Sequence, residues 1–192
     1  ADCGPRQELY RYLGRLLRPG LDPDRRWILC TIHTETKATM ETSMAIARNA
    51  IEAMAELTDT EVVITAANAD AGGAELNDYY RKVCDGTPMF RFIHSLGHRR
   101  YLSMMRQAYA LVGNTSSGIL ETPFVGVPTV NIGNRQKGRH LCANVITPRG
   151  ISKEDIAEAL TLIPDTHYPS DPYFGDGHSA QRIIAEIKAR YL

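Results

Sequence analysis

The chain has 192 residues, and its 22 Lys and Arg balance 22 Asp and Glu, giving a net charge of zero. That length is enough for one domain with a real core, and the neutral balance excludes the broad basic footprint of a nucleic-acid binder while leaving room for a local phosphate site. Four scattered cysteines, without a CxxC pair or a dense His/Cys cluster, exclude a disulfide framework and a structural zinc site, and with no apolar run near the ~18 residues of a membrane span and no signal peptide the chain reads as soluble and cytoplasmic.

Leu9, Leu13 and Leu16 stand at helical spacing in Pro5–Leu17, and Pro19–Gly20 ends that helix. Arg26–Ile32 is a compact apolar run, read as a buried strand. A long amphipathic helix follows from about Thr39 to Leu57, with Met40, Met44, Ala47, Ile51 and Met54 on one face. Its methionines read as core filler. Glu61–Ala66 is the second strand, and a Gly-rich turn leads to a helix near Glu75–Cys84. Met89–Ile93 is the third strand and Arg99–Tyr109 the next helix. Leu111–Gly113 and Thr129–Ile132 are two further strands with one helix between them, and Asn144–Ile146 is a sixth. Ser152 starts another helix with Asp155 three residues on, as in a capping box, and its Ile156, Leu160 and Ile163 share a face. A loop rich in Pro, Asp and Gly runs from Pro164 to Gly177, and the last helix carries Ala180, Ile183, Ile184, Ile187 and Tyr191. Strands alternating with helices at short spacing predict βαβ units, a parallel sheet and a doubly wound, Rossmann-like α/β fold. The expected organisation is an N-terminal helix and linker over residues 1–20, then one domain over residues 21–192.

The stretch from Leu111 to Arg139 carries the chemistry. Its first strand delivers the chain to Gly113–Gly118, where the hydroxyls of Thr115 and Ser116 and the N–H groups of Ser117 and Gly118 gather at a helix start. A helix N-terminus has unpaired donors and a partial positive charge, so it attracts anions. The next strand leads to Gly133, Arg135, Lys137 and Arg139, and the guanidinium groups there can pair with phosphate oxygens. Each part alone has a plain reading, Ser116–Ser117 as an N-cap and Arg135–Arg139 as a solvated loop. Together they sit at the C-terminal ends of successive strands, the edge where open α/β sheets bind ligands, and they suit a pyrophosphate-bearing ligand.

Other strand ends add candidates. His33, just past the first strand, can act as a general acid or base or bond a phosphate oxygen; position alone fits a structural histidine equally well. Asn68 can donate to a phosphate or a sugar hydroxyl, or form with Asp70 an Asx-turn before Gly72–Gly73. Glu121, on the first turn of its helix, can accept both ribose hydroxyls or simply face the helix dipole. His94, His98, Arg99 and Arg100 read as a solvated loop and helix start, and Lys137 and Arg139 as a solvated face. His140, His167 and His178 have no partner legible in sequence.

The segment GNTSSGILETPFVGVPTVNIGNRQKGR resembles the UDP-N-acetylglucosamine 2-epimerase family, and most the hydrolysing branch, whose pattern reads Gly-Asn-Ser-Ser-x-Gly-x-x-Glu and then Pro-x-x-Asn-x-Gly-x-Arg-Gln-x-Gly-Arg. Thr31–Thr36 resembles its His-Pro-x-Thr motif, with Thr34 in place of proline, and Asn68–Gly72 its Asn-x-Asp-x-Gly turn. The resemblance runs from Leu21 to Leu192 and covers the C-terminal half of a two-domain, GT-B-type architecture. It implies UDP and UDP-N-acetylglucosamine as ligands, with no redox cofactor and no catalytic metal. It makes His33 the catalytic residue, whether as acid, base or pyrophosphate anchor. It gives Asn68, Thr115, Ser116, Ser117, Gly118 and Arg135 ligand contact, Glu121 the ribose, and the backbone around Leu96 the uracil. Thr122 stands where the non-hydrolysing branch has a second acidic residue, which favours hydrolysis.

The implied reaction is elimination of UDP followed by hydration, giving N-acetylmannosamine. The implied partners are the N-terminal domain of the same enzyme and further copies of the chain. Without that domain the chain is expected to bind UDP weakly and to turn over nothing. The faces of its first and last helices are expected to pack on the other half, and an uncovered apolar face of that kind drives self-association. A donor-binding half of a GT-B glycosyltransferase and a non-catalytic nucleotide-binding domain are the alternative readings.

Overall fold

A computed structural model describes residues 6–17 and 20–191. Pro5 and Pro19, expected at the borders of the first helix, and Cys3 lie outside the described residues. The chain runs α1 (Arg6–Leu16), β1 (Arg26–Thr31), α2 (Met40–Met54), β2 (Thr60–Thr65), α3 (Gly73–Gly86), β3 (Phe90–Ile93), α4 (Gly97–Gln107) and β4 (Ala110–Gly113). Two four-residue helices, α5 (Ser117–Leu120) and α6 (Thr122–Val125), precede β5 (Thr129–Asn131) and β6 (Val145–Ile146), and α7 (Lys153–Thr161) and α8 (Ser179–Tyr191) complete the chain. All five strand pairings are parallel, in the order β3-β2-β1-β4-β5-β6. This is the doubly wound order in which the direction of winding reverses between β1 and β4.

The sheet is covered on both faces, as continuous apolar strands require. Alternate residues of each strand point to opposite sides. Ile28, Cys30, Val62, Ile64, Val112 and Val130 pack on Ile46 and Ala50 of α2, Leu76 and Tyr80 of α3, and Ile156 and Leu160 of α7. Trp27, Leu29, Val63 and Leu111 pack on Leu9 and Leu13 of α1 and on Met104 and Met105 of α4. Of the methionines expected as filler, Met54 is fully buried and Met40 and Met44 pack at the margin of the same core. Thr39 caps α2 by accepting the Thr42 N–H at 3.1 Å. Ser152 caps α7 by accepting the Asp155 N–H at 3.1 Å, as its spacing implied.

Two expectations need correction. The apolar face of the first helix is largely covered: Leu9 and Leu13, with Leu17 just past its end, are buried in the core of this unit, whereas Leu16 of the expected face is exposed. The single helix between β4 and β5 is two single-turn helices, because Pro123 has no N–H to donate and its ring crowds the carbonyl one turn back. The last helix does match its expectation of an uncovered face. No residue of α8 is buried, and Ile183, Ile184, Ile187 and Tyr191 are exposed. No described helix is long and apolar enough to cross a membrane.

Candidate functional site

The loops after β1, β4 and β5 meet at the C-terminal edge of the sheet, where the strand order reverses. Asn114, fully buried after β4, ties them together. Its Oδ1 accepts the His33 N–H at 2.8 Å and its Nδ2 donates to the His33 carbonyl at 2.9 Å, so one side chain substitutes for a strand pairing beyond the end of β1. The Asn114 carbonyl in turn accepts from Arg135 Nη1 at 3.3 Å and from Gln136 Nε2 at 2.8 Å. The loops carrying Thr115 and Arg135 therefore converge on a shared surface.

His33 is largely buried, and its Nδ1 accepts the Asn68 N–H at 3.1 Å. A neutral imidazole held this way carries its proton on Nε2. Burial first, and then the Arg135 guanidinium, lower the His33 pKa from 6.5 to about 4, with the Asp70 carboxylate opposing both. The ring is thus a neutral hydrogen-bond donor at pH 7. The unfolded chain takes up this proton near pH 6.5 and the folded chain only near 4. The fold is therefore expected to lose on the order of 3 kcal/mol as pH falls through that window, with no such loss above it. Urea melts of the unaltered chain and of His33→Asn between pH 7 and 4 check this: the variant should lose less. An NMR titration of His33 with a midpoint near 6.5 would contradict it.

Beside His33 lies an open cavity of about 310 Å³, lined by Thr31, Thr65, Leu96, Tyr101, Thr115 and Ser117 among others. Thr31 and Thr65 share a hydrogen bond at 2.8 Å, and the Tyr101 hydroxyl lies 3.4 Å from Thr31 Oγ1. Burial raises the Tyr101 pKa, against hydrogen bonds from the Thr31, Ser117 and Thr115 hydroxyls. Sequence reading missed Thr31, Thr65 and Tyr101. The usable signal was a hydroxyl residue closing each of two apolar strands. A cleft of about 370 Å³ lies at the opposite edge of the sheet, beside Arg26 and Thr60, and larger ones of about 470 and 650 Å³ lie between α1 and α4 and beside β3. None of these is lined by a residue to which the sequence assigned ligand contact, the one between α1 and α4 reaching only Arg99 and Arg100 of the solvated helix start, so the cavity beside His33 is the candidate site.

Of the site residues expected from the sequence, His33, Leu96, Thr115 and Ser117 line this cavity, whereas Asn68, Ser116, Gly118, Glu121 and Arg135 are not among its lining residues. Thr115 is buried, Ser116 and Ser117 are half-buried, and Thr115 Oγ1 accepts the Ser117 N–H at 3.4 Å. The Gly118 N–H donates to the Thr115 carbonyl at 3.2 Å. α5 is four residues long, so the summed dipole expected of a longer helix is absent and the local hydroxyls and amides remain. Glu121 is not on a first turn. It is the half-buried residue joining α5 to α6. Leu96 is buried just before α4. Asn68 also bonds through Nδ2 to the Asp70 carboxylate, while its buried Oδ1 has no partner. Arg135 is half-buried, whereas Lys137 and Arg139 are exposed, as are His94, His98, Arg99 and Arg100. His140 stacks on Tyr173 at 3.8 Å, and the His167 ring bonds the Ala108 carbonyl at 2.9 Å.

Comparison with known proteins shows the family and the fold. The model of the UDP-N-acetylglucosamine 2-epimerase family matches residues 7–188. A Campylobacter jejuni protein named GDP/UDP-N,N'-diacetylbacillosamine 2-epimerase (hydrolyzing) is 36% identical over 124 residues, 64% of this chain and 32% of that protein. A polysialic acid biosynthesis protein of Escherichia coli is 30% identical over 191 residues, 95% of this chain and 46% of its own. The chain thus spans between about a third and a half of the length of these relatives. Neisseria meningitidis UDP-N-acetylglucosamine 2-epimerase, solved with UDP-N-acetylglucosamine bound, superposes with a TM-score of 0.73 at 11% identity, covering 96% of this chain and 49% of that one. A calicheamicin glycosyltransferase superposes with a TM-score of 0.54 at 18% identity, covering 89% and 44%. At such identities these structures are alike in fold.

Proposed function

Because this chain belongs to the UDP-N-acetylglucosamine 2-epimerase family, we propose that it is the UDP-binding half of a hydrolysing 2-epimerase. The observation that carries the reading is that Asn114 ties the backbone of His33 to the guanidinium of Arg135 and opens the hydroxyl-rich turn at Thr115. A diphosphate needs donors on several sides, and charge-assisted bonds to its oxygens are the strong ones. In this reading Arg135, Thr115 and Ser116 hold the diphosphate, with Ser117 and Gly118 shaping the turn. Glu121 accepts from the ribose, Asn68 reaches the sugar nucleotide, and the uracil lies in the cavity walled by Leu96. His33 presents Nε2–H to the departing diphosphate. Its Nδ1 is already occupied by the Asn68 amide, so a donor role suits it better than that of a base.

The proposed reaction takes UDP-N-acetylglucosamine and water to N-acetylmannosamine and UDP. The C1–O bond breaks, UDP leaves with the electron pair, a proton leaves C2, and water then adds across the resulting double bond. No paired carboxylates for the sugar protons stand in this chain's site. We assign them to the other half of the enzyme, for which the open apolar face of α8 offers a seat. The two-domain protein is expected to release UDP and the 2-epimeric sugar with no acceptor present, read by proton NMR of the products. A strict need for an acceptor would mark a glycosyltransferase, and no turnover at all a binding module. The names of the relatives make UDP-N,N'-diacetylbacillosamine the substrate to test alongside.

A further inference from the structure

Glu35 lies two residues beyond His33 and is nine-tenths buried. Its backbone is tied to its own side of the fold. Its N–H donates to Ser43 Oγ in α2 at 3.2 Å, and its carbonyl accepts the Ala38 N–H at 3.0 Å. Its side chain instead crosses to the loop after β5. There Oε1 accepts the backbone N–H of Asn134 at 2.8 Å and of Arg135 at 3.1 Å. The seat is shaped around that oxygen. Gly133 has φ +78°, and a Cβ on it would stand 2.3 Å from Glu35 Oε1 and 3.0 Å from Ile46 Cδ1.

A buried carboxylate needs donors, and here it takes the amide of Arg135 while the guanidinium turns to the Asn114 carbonyl. From this arrangement we propose that Glu35 is a positioning residue. It fixes the backbone from which Arg135 reaches the ligand, and so couples the His33 loop to the Arg135 loop. The proposal rests on the UDP reading above. A pre-set arginine loses less freedom when it binds, which is where the gain in affinity arises.

The test is a set of UDP titrations of this chain by ligand-observed NMR. Glu35→Ala should weaken binding about tenfold, whereas Glu35→Gln, which keeps an acceptor oxygen, should stay within about threefold of the unaltered chain. In an Arg135→Ala background, Glu35→Ala should change the affinity no further, because its effect runs through that side chain. Additive losses would overturn the proposal. So would a Glu35→Ala chain that binds normally when Arg135→Ala does not. If Arg135→Ala alone leaves binding unchanged, the UDP reading fails and takes this one with it. Should Glu35→Ala not fold, hydrogen exchange on the unaltered chain decides: the Asn134 and Arg135 amides should be protected, and fast exchange at both would overturn the coupling.

Discussion

Replacing Arg135 by alanine is expected to weaken UDP binding about 10- to 100-fold, since a hydrogen bond to a charged group contributes roughly 1.5–3 kcal/mol and each 1.4 kcal/mol is tenfold. The side chain is half-buried and held by one bond to the Asn114 carbonyl, which leaves the rest of its fork available. A second readout follows from the same contact. The guanidinium helps to depress the His33 pKa, so removing it should move that titration upward from about 4. Arg135→Lys keeps the charge but not the planar pair of donors, and is expected to fall between the two. Calorimetry of the three chains with UDP measures this. Equal affinities would take Arg135 out of the site.

Gly113→Ala is expected to cost the fold about 4 kcal/mol or more, the range reserved for severe core errors. Gly113 has φ +147°, and a Cβ there would lie 2.1 Å from the Thr31 carbonyl oxygen. The carbonyl cannot retreat, because it already accepts the Asn114 N–H at 3.2 Å. The Gly113 carbonyl accepts the Ile132 N–H at 2.9 Å, so the strand cannot shift toward β5 either. For a chain of this size, a loss of that order should lower the melting temperature by roughly 10 °C or more. Thermal melts followed by circular dichroism check it, and a shift under a few degrees would show that the close approach is relieved elsewhere.

The alternation of strands and helices was legible because apolar periods of two and of 3.6 residues differ plainly in segments such as Arg26–Thr31 and Met40–Met54. Which layer a helix joins was less legible. The leucines of α1 announce an apolar face, and periodicity does not say what covers it. Pro123 carried the signal for a broken helix, and the expectation of a continuous one ran through it, misplacing Glu121. The motif residues of the site could be read one by one, but their bracing could not. Asn114 stands within the small-residue turn in the sequence, and nothing there assigns a part to Glu35, Thr31 or Thr65. Each acquires its part only once the strand order brings distant segments side by side.

The link between His33 and Asn114 joins residues 81 positions apart in the chain. Segments through β3 can form the imidazole side of the site with Asn68, while the turn after β4 and the arginine after β5 must be brought in later, against the entropy of closing a long loop. A ribosome-bound or trapped chain that stops short of that closure is expected to carry half of the proposed grip and to hold no nucleotide. Under the UDP-binding role proposed for this chain, retention on an immobilised UDP column is expected to sort finished molecules from stalled ones, a folding assay that needs no turnover.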